Sequence, residues 1–451
     1  MTQPITFSRR IMSAAAPLFF TLAVDRLGMV LIVALLAHYA TESLAAFVLA
    51  SAFLFPASVV VMGSLRGVTP VVAPYVDSPV AVVPVLRDVR WLAVFAGIIG
   101  SFFVVIFPFS APLLGVPEVT TDALGYFPIL MAIGLFAIAV KQGAVQVLIA
   151  LDRSRSVVWP GMVDIGVSVG LGVALIPWLG LDGGGIALAA GSIASAIIAM
   201  GRLRKFYGRI GWGRPRLAPI KELARIGIPL AAGQLIRVLV FSLLGVAIAR
   251  LSVDGAASHG ILIEVIMLLN LLALVVSQAS IPLMSREWAG DNYRGFRKAL
   301  RASMLVTTVG TVVSVGLFVV AAPWVIPMIS GSAAVQEILM SMLPWLVLAA
   351  LGQGLSTVPT SGLVAVKRTG ATLTNVIIWF GLLAVAVFPV AATFGLAGLW
   401  IAMGVAQVGY GLGQWLSMRR FLSRSMSTES TVIKKAAMVG KNGDQTHHVI
   451  D

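Results

Sequence analysis

The chain alternates between long apolar runs and short polar connections. Runs of about 20 or more mostly apolar residues recur along its 451 residues, and each is long enough to cross about 30 Å of hydrocarbon. The runs lack the two-residue alternation of barrel strands. This pattern predicts an all-α integral membrane protein with about twelve transmembrane helices. We place them at 12–38, 44–73, 91–110, 125–150, 158–178, 182–203, 221–250, 257–285, 299–322, 336–363, 371–394 and 395–418.

Basic residues concentrate in every second connection between these helices. The other connections contain essentially Arg250 alone, together with acidic residues such as Asp182 and Glu337. Because positive residues mark cytoplasmic loops, this asymmetry predicts an even number of spans, with both termini cytoplasmic, in a plasma or inner membrane. The basic connections include Arg87 and Arg90, Arg153 and Arg155, and the long stretch 201–227.

The two halves of the sequence repeat one another. "GLDGGGIALAAG" (Gly180–Gly191) corresponds to "GLAGLWIAMGVA" (Gly395–Ala406), and Asp25 and Arg237 each follow a proline at the same spacing. Because each half has an even number of spans, we expect two parallel six-helix lobes related by a pseudo-twofold axis along the membrane normal. The predicted domains are an N-terminal lobe (1–203), a basic cytoplasmic linker (204–220), a C-terminal lobe (221–420) and a disordered cytoplasmic tail (421–451).

Composition supports the membrane interpretation and narrows the chemistry. Residues are 59% hydrophobic and 11% charged, with a mean hydropathy of +0.99, which exceeds what a soluble domain can cover. The net charge of +14 follows from the basic connections, so it indicates topology and no nucleic-acid partner. The absence of cysteine excludes disulfides, thiolate metal sites and cysteine nucleophiles.

Several segments resemble the multidrug and toxic compound extrusion (MATE) family. They are "SLAAFVLASAFLFPASVVVMGSLRGVTPVVAPYVDSP" (Ser43–Pro79), "QVLIALDRSRSVVWPGMV" (Gln146–Val163), "GLDGGGIALAAG" and "RIGIPLAAGQL". Their order and spacing carry the resemblance over roughly residues 10–420. It implies a secondary active antiporter that exports small organic compounds, such as drugs and other xenobiotics, by alternating access.

The chain departs from this family at the positions of the ion-coupling carboxylates. By alignment of the motifs, the family's helix-one aspartate falls near Ile32, and the helix-five polar pair falls near Gly172 and Ile176. In the second half, the glutamate of helix seven falls near Arg237 and the aspartate of helix ten near Gly354. These departures argue against sodium coupling and favour protons.

Charged residues inside the apolar runs are candidates for function, because ionisable groups in a membrane usually face the protein interior or a water-filled cavity. Asp25 and then Asp164 are the preferred proton-coupling candidates, and Glu264 is the weaker third. We expect Asp25 to meet Lys141 or Asp164, and Arg237 to meet Glu264. The alternative is that these charges form only buried ion pairs that hold the helices in register.

Further residues are candidates for lining a substrate cavity. Polar side chains in the apolar helices either face such a cavity or form hydrogen bonds between packed helices, and both interpretations remain open. The candidates are Arg26, Lys141, Gln142, Gln146, Gln234, Arg237 and Gln353.

Two other functions are considered. The sequence contains no H-E-x-x-H, G-x-S-x-G or P-loop pattern, so an enzyme is not predicted. A flippase for a lipid-linked saccharide or another anionic substrate is the closer alternative, provided that Arg26, Lys141 and Arg237 line one basic cavity. The expected partners are a small organic substrate, protons and membrane lipids. The protein is expected to be a monomer with no cofactor and no metal.

Overall fold

The computed structural model describes residues 4–39, 41–110 and 124–443, and within these ranges the regular structure is helical. The helices are α1 (Pro4–Tyr39), α2 (Thr41–Leu65), α3 (Thr69–Val72), α4 (Pro79–Ser110), α5 (Phe127–Ala150), α6 (Val158–Tyr207), α7 (Leu217–Leu251), α8 (Val253–Leu269), α9 (Leu271–Ala289), α10 (Tyr293–Ile329), α11 (Ala333–Ser341), α12 (Leu343–Ala365) and α13 (Thr369–Gly443). Short 3-10 turns at Arg66–Val68 and Ala73–Tyr75 flank α3.

The helices account for twelve membrane crossings. Among the described residues, nine segments are each long and apolar enough to span a membrane, and the pair α8–α9, bent by 42°, makes a tenth span. At about 1.5 Å per residue, α6 and α13 are far longer than the 30 Å hydrocarbon thickness. Each of these two helices contributes two crossings because it folds back on itself, which confirms the predicted twelve-helix fold.

The reversal in α6 occurs at Gly180. Its φ of 52° and ψ of −124° suit a residue without a side chain and interrupt the helix. Beyond the turn, a Cβ on Gly183 would lie 2.5 Å from the carbonyl oxygen of Leu175, and the Ser195 hydroxyl donates to the Pro160 carbonyl at 2.7 Å. The contact partners move apart in sequence with distance from Gly180, which shows that α6 is an antiparallel helical hairpin.

The second half repeats this hairpin in α13. Gly395 has a φ of 60° and a ψ of −149°, and it occupies the position that matches Gly180 in the sequence repeat. The Asn375 amide donates to the Ser417 hydroxyl at 3.1 Å, so the two arms of α13 also run antiparallel. A glycine with a positive φ therefore forms the turn of the last helical hairpin in each lobe, as the internal repeat predicts.

The two lobes meet along α2 and α7. A Cβ on Gly67 would lie 2.7 Å from the Gly227 nitrogen, and a Cβ on Gly63 would lie 2.7 Å from the Ala231 Cα. Backbones of opposite lobes approach this closely only where side chains are absent or small. We call this contact the glycine seam (Gly63, Gly67, Gly227 and Ala231).

The glycine seam lies in the half of the bundle that ends in the basic connections, which we call the basic end. There, Arg286 of α9 reaches the other lobe. Its guanidinium donates to the carbonyls of Ala73 (3.1 Å) and Ala150 (2.6 Å) and forms an ion pair with Asp152. Charge-assisted bonds of this kind are stronger than neutral ones, so Arg286 holds the lobes together at the basic end.

The structure differs from the sequence prediction at several boundaries. The predicted helix at 44–73 ends at Leu65 and continues as 3-10 turns around α3, where Pro70 removes a backbone donor. The non-helical part of the predicted linker 204–220 is only 208–216. A disordered tail is predicted from residue 421; the last helix extends through Gly443, and residues 444–451 lie outside the described residues.

Candidate functional site

A cluster of three charges lies inside the N-terminal lobe. α1 packs against the first arm of α6 in parallel: a Cβ on Gly161 would meet Thr21, one on Gly28 would meet Ile165, and one on Gly172 would meet Ile32. This register places Asp25 at the same depth as Asp164. The helix positions alone therefore bring together two carboxylates that are far apart in the sequence.

Lys141 of α5 completes this cluster. Its ammonium donates to Asp164 Oδ2 at 2.5 Å, and the two side chains are only 17% and 13% exposed. Asp25 lies within electrostatic range of both. The prediction that Asp25 meets Lys141 or Asp164 therefore agrees with the geometry, and Asp25 is the carboxylate of this cluster that no ion pair engages within the described residues.

Asp25 also differs from Asp164 in its exposure. Asp164 is buried, whereas Asp25 is exposed on the surface of α1. A group that exchanges protons needs access to water, and a buried, ion-paired carboxylate is poorly suited to that exchange. Asp25 is therefore the more accessible of the two carboxylates of the cluster.

A second charge pair bridges the two lobes. Arg26 of α1 lies 3.9 Å from Glu264 of α8, and its guanidinium also contacts the Met267 sulfur at 3.4 Å. Both charged side chains are more than half exposed, so the pair is solvated and weak. The expectation that Glu264 pairs with Arg237 is wrong, because Glu264 reaches Arg26 across the space between the lobes.

Arg237 lies among aromatic rings. Its guanidinium carbon is 5.1 Å from the ring centroid of Phe380, 5.6 Å from that of Tyr410 and 6.0 Å from that of Phe241. Aromatic faces attract a guanidinium through their quadrupole. Its buried Nε has no hydrogen-bond partner within the described residues. The three cations Arg26, Lys141 and Arg237 therefore do not form one shared basic cavity.

The glutamine candidates have different surroundings. Gln146 is buried and accepts a hydrogen bond from Thr69 at 2.7 Å, and Gln353 accepts one from Gln407 at 3.3 Å. Both bonds join packed helices within a lobe, which favours the structural alternative for these two residues. Gln142 and Gln234 are partly buried.

Solved structures with the same fold are MATE transporters. The chain superposes on a MATE in the bent conformation with a TM-score of 0.82 at 16% identity, covering 95% of this chain and 100% of that one. The transporter VcmN from Vibrio cholerae, in its bent form, gives 0.79 at 17% identity, with 94% and 99% covered. A MOP superfamily transporter from Pyrococcus furiosus, described as having a binding pocket of reverse polarity, gives 0.78 at 16% identity, with 92% and 96% covered.

Proteins of similar sequence are named as multidrug resistance proteins. A probable multidrug resistance protein NorM from Acinetobacter baylyi is 24% identical over 388 residues, which cover 81% of this chain and 85% of the relative. One from Aromatoleum aromaticum is 25% identical over 353 residues, with 74% and 75% covered. The sequence profile of the MatE family matches residues 229–390. In both sequence and fold, the chain is similar to the MATE family. The long apolar helices and these similarities support a multi-pass membrane protein, and the MATE family consists of transporters rather than enzymes.

The positions where the MATE resemblance expects coupling carboxylates are apolar or closely packed in this chain. Ile32 and Ile176 are fully buried and both contact the Gly172 position in the N-terminal lobe. In the C-terminal lobe, a Cβ on Gly354 would lie 2.6 Å from Thr311 and 2.8 Å from Asn270. No carboxylate occupies these places, and the carboxylates that the sequence offers as coupling candidates are Asp25, Asp164 and Glu264.

Sequence reasoning missed part of the charged interior. Arg66, which is not among the sequence-based site candidates, lies on the 3-10 turn after α2 and within electrostatic range of Arg237. The rings of Phe241, Phe380 and Tyr410 were not singled out, because aromatic residues are common in apolar helices and only the fold gathers them. The signal available in the sequence was the lack of any spare acidic residue to neutralise Arg66 and Arg237.

Proposed function

We propose that this protein is a proton-coupled antiporter that exports small organic compounds by alternating access. The observation that carries the proposal is Asp25: an exposed carboxylate in the membrane interior, next to a lysine–aspartate pair and without an ion pair of its own among the described residues. Intramembrane carboxylates of this kind mark proton relays in transporters.

The proposed cycle uses the different roles of the two carboxylates. Asp164 keeps Lys141 charged and fixed, and the ammonium in turn attracts ionised Asp25. Protonation of Asp25 cancels that attraction and loosens α1 from its neighbours in the N-terminal lobe. Because α1 also contacts the C-terminal lobe through Arg26 and Glu264, the change at Asp25 reaches the interface between the lobes.

We further propose that the basic end is cytoplasmic, in line with the positive-inside rule. The lobes are joined there by the glycine seam and by Arg286, whereas Asp25, Arg26 and Glu264 are exposed in the half nearer the opposite end. The structure then corresponds to a state that is closed to the cytoplasm and open outward. Multidrug resistance relatives support small organic molecules as the cargo.

The flippase alternative is less well supported. A pyrophosphate headgroup requires several free cations in one cavity. Lys141 is bound to Asp164, and Arg26 is shared with Glu264, so two of the three expected cations are already neutralised by partners. A transporter for smaller compounds requires no such cavity.

The first prediction concerns Asp25→Asn in proteoliposomes of the full-length protein, assayed for dye and drug efflux under an imposed proton or sodium gradient. We expect proton-driven efflux to fall to the level of empty liposomes, because asparagine cannot release a proton. Asp77→Asn is the matched control, since Asp77 is exposed in the turn after α3. Wild-type efflux that follows only the sodium gradient, or an active Asp25→Asn variant, contradicts the proposal.

A further inference from the structure

Two arginines, one from each lobe, lie on the segments that form the glycine seam. Arg66 directly precedes Gly67, whose backbone packs on Gly227 of α7, and Arg237 lies further along the same α7 helix. Both side chains are partly buried, and their guanidinium charges are within electrostatic range of each other. The closed seam therefore holds two like charges near one another.

No acidic side chain within the described ranges pairs with either arginine. The intramembrane carboxylates are engaged elsewhere: Asp164 with Lys141, Glu264 with Arg26, and Asp25 beside the lysine–aspartate pair. Removing a charge from water is costly unless an opposite charge or hydrogen bonds compensate it. The Arg66–Arg237 pair thus lacks a counter-charge in this state.

The surroundings of Arg237 suit an aromatic ligand. Phe241, Phe380 and Tyr410 surround its guanidinium, and its buried Nε has no partner among the described residues. Phe241 is only partly buried, so one ring of this cluster remains open to contact. Apolar walls with a few convergent polar groups are the usual composition of a small-molecule site.

We propose that Arg66 and Arg237 bind the carboxylate of a small aromatic anion, which is the substrate class of this transporter. The inference rests on the proposed export function and specifies its cargo. A carboxylate accepts hydrogen bonds from guanidinium groups in paired geometry, and the ring of the anion packs beside Phe241. The anion supplies the counter-charge that the protein itself does not provide at this place.

This site also links cargo to the movement of the lobes. One arginine belongs to each lobe, so the two charges repel most strongly when the glycine seam is closed. A bound anion offsets that repulsion and stabilises the closed seam. After its release, the repulsion favours separation of the lobes at the basic end and the return of the transporter.

The test is binding of two xanthene dyes, anionic carboxyfluorescein and cationic rhodamine 123, to the purified full-length protein, measured by fluorescence anisotropy. We expect wild type to bind carboxyfluorescein more tightly. Arg66→Gln and Arg237→Gln each weaken that binding by about 10- to 100-fold, as expected for one lost charge-assisted hydrogen bond. Rhodamine 123 binding stays within about twofold of wild type, since the lost bond is to a carboxylate.

The matched control is Arg250→Gln. Arg250 lies at the end of the same helix, with its guanidinium carbon 5.4 Å from the Phe388 ring centroid, so it shares the cation–π setting but not the partner arginine. Arg237→Lys keeps the charge but not the paired donors, so we expect its affinity to lie between those of wild type and Arg237→Gln. If Arg237→Gln does not give a monodisperse protein, Arg66→Gln decides the result.

Two outcomes overturn the inference: preferential binding of rhodamine 123 by wild type, or unchanged carboxyfluorescein affinity in Arg66→Gln. The assay needs no gradient, so it is independent of the efflux test for proton coupling. If only cationic dyes are exported under a proton gradient, the export function is supported and the proposal of an anionic cargo is contradicted. Binding of the anion without efflux of any compound supports the anion site and contradicts the export function.

Discussion

At the scale of single residues, the Lys141–Asp164 ion pair dominates the interior of the N-terminal lobe. Both side chains are largely withdrawn from water and their charged atoms are 2.5 Å apart. Removing one partner of a buried pair leaves an uncompensated charge and typically costs about 3–5 kcal/mol, whereas replacing both by apolar groups is often neutral. A single substitution in this pair should therefore lower the free energy of unfolding more than replacement of both residues does.

A second prediction follows from this asymmetry. Lys141→Met lowers the thermal unfolding midpoint of the purified protein, because Asp164 is left buried without its cation. The double variant Lys141→Met with Asp164→Leu recovers most of the loss, and a double-mutant cycle measures the coupling. Additive losses in the two single variants would contradict a tight pair. Neither Lys141→Met nor the double variant is expected to support proton-driven efflux, because both lack the ammonium group beside Asp25.

The sequence identified most of the charged residues of the membrane interior but only part of their pairing. Asp25, Lys141 and Asp164 were expected near one another because all three lie in the first half, but the sequence did not indicate that Lys141 pairs with Asp164 rather than with Asp25. Glu264 was assigned to Arg237 because both lie in the second half, yet its partner Arg26 belongs to the other lobe. A contact between lobes depends on how far they are closed, and local pattern contains no information about that.

At the scale of helices, the hydrophobic runs were sufficient to predict the number of spans and the two hairpins. Gly180 and Gly395 follow apolar runs of membrane-spanning length, and each adopts a positive φ at the turn. The broken end of α2 was less predictable, since it combines 3-10 turns with α3 over only ten residues (66–75). Such irregular backbone is tolerated where protein surrounds it, and it carries Arg66 to its site.

A third prediction concerns the close approach of α2 and α7. A Cβ on Gly227 would overlap the Ser64 carbonyl oxygen, so Gly227→Ala prevents full closure of the glycine seam. We expect efflux to fall at least about tenfold, because about 1.4 kcal/mol against one state of the cycle is enough for that change. Gly245→Ala is the control, since Gly245 lies on the same helix with nothing within 4 Å. Equal activity of the two variants would show that the seam does not need to close.

At the scale of the whole molecule, one arginine adds charged contacts between the lobes to the packing of the glycine seam at the basic end. Arg286 contributes its guanidinium to two carbonyls and one carboxylate of the N-terminal lobe. These bonds oppose the repulsion between Arg66 and Arg237, which acts at the same interface. The bonds of Arg286 stabilise the closed lobes and the repulsion between the two arginines destabilises them, so both together set how long the lobes stay closed. Bound cargo reduces the repulsion and therefore favours closure.

The fourth prediction tests whether Arg286 keeps the lobes closed at the basic end. The chain has no cysteine, so Ser64→Cys, at the buried seam, reports opening through its rate of labelling by a maleimide. Arg286→Gln removes charge-assisted bonds worth about 1.5–3 kcal/mol each and raises the labelling rate by about 10-fold or more. Exchanging the charges, with Asp152→Arg and Arg286→Asp together, restores part of the protection because the ion pair is regained while the carbonyl contacts are not. Labelling that is unchanged in Arg286→Gln would mean that the glycine seam alone keeps the lobes closed.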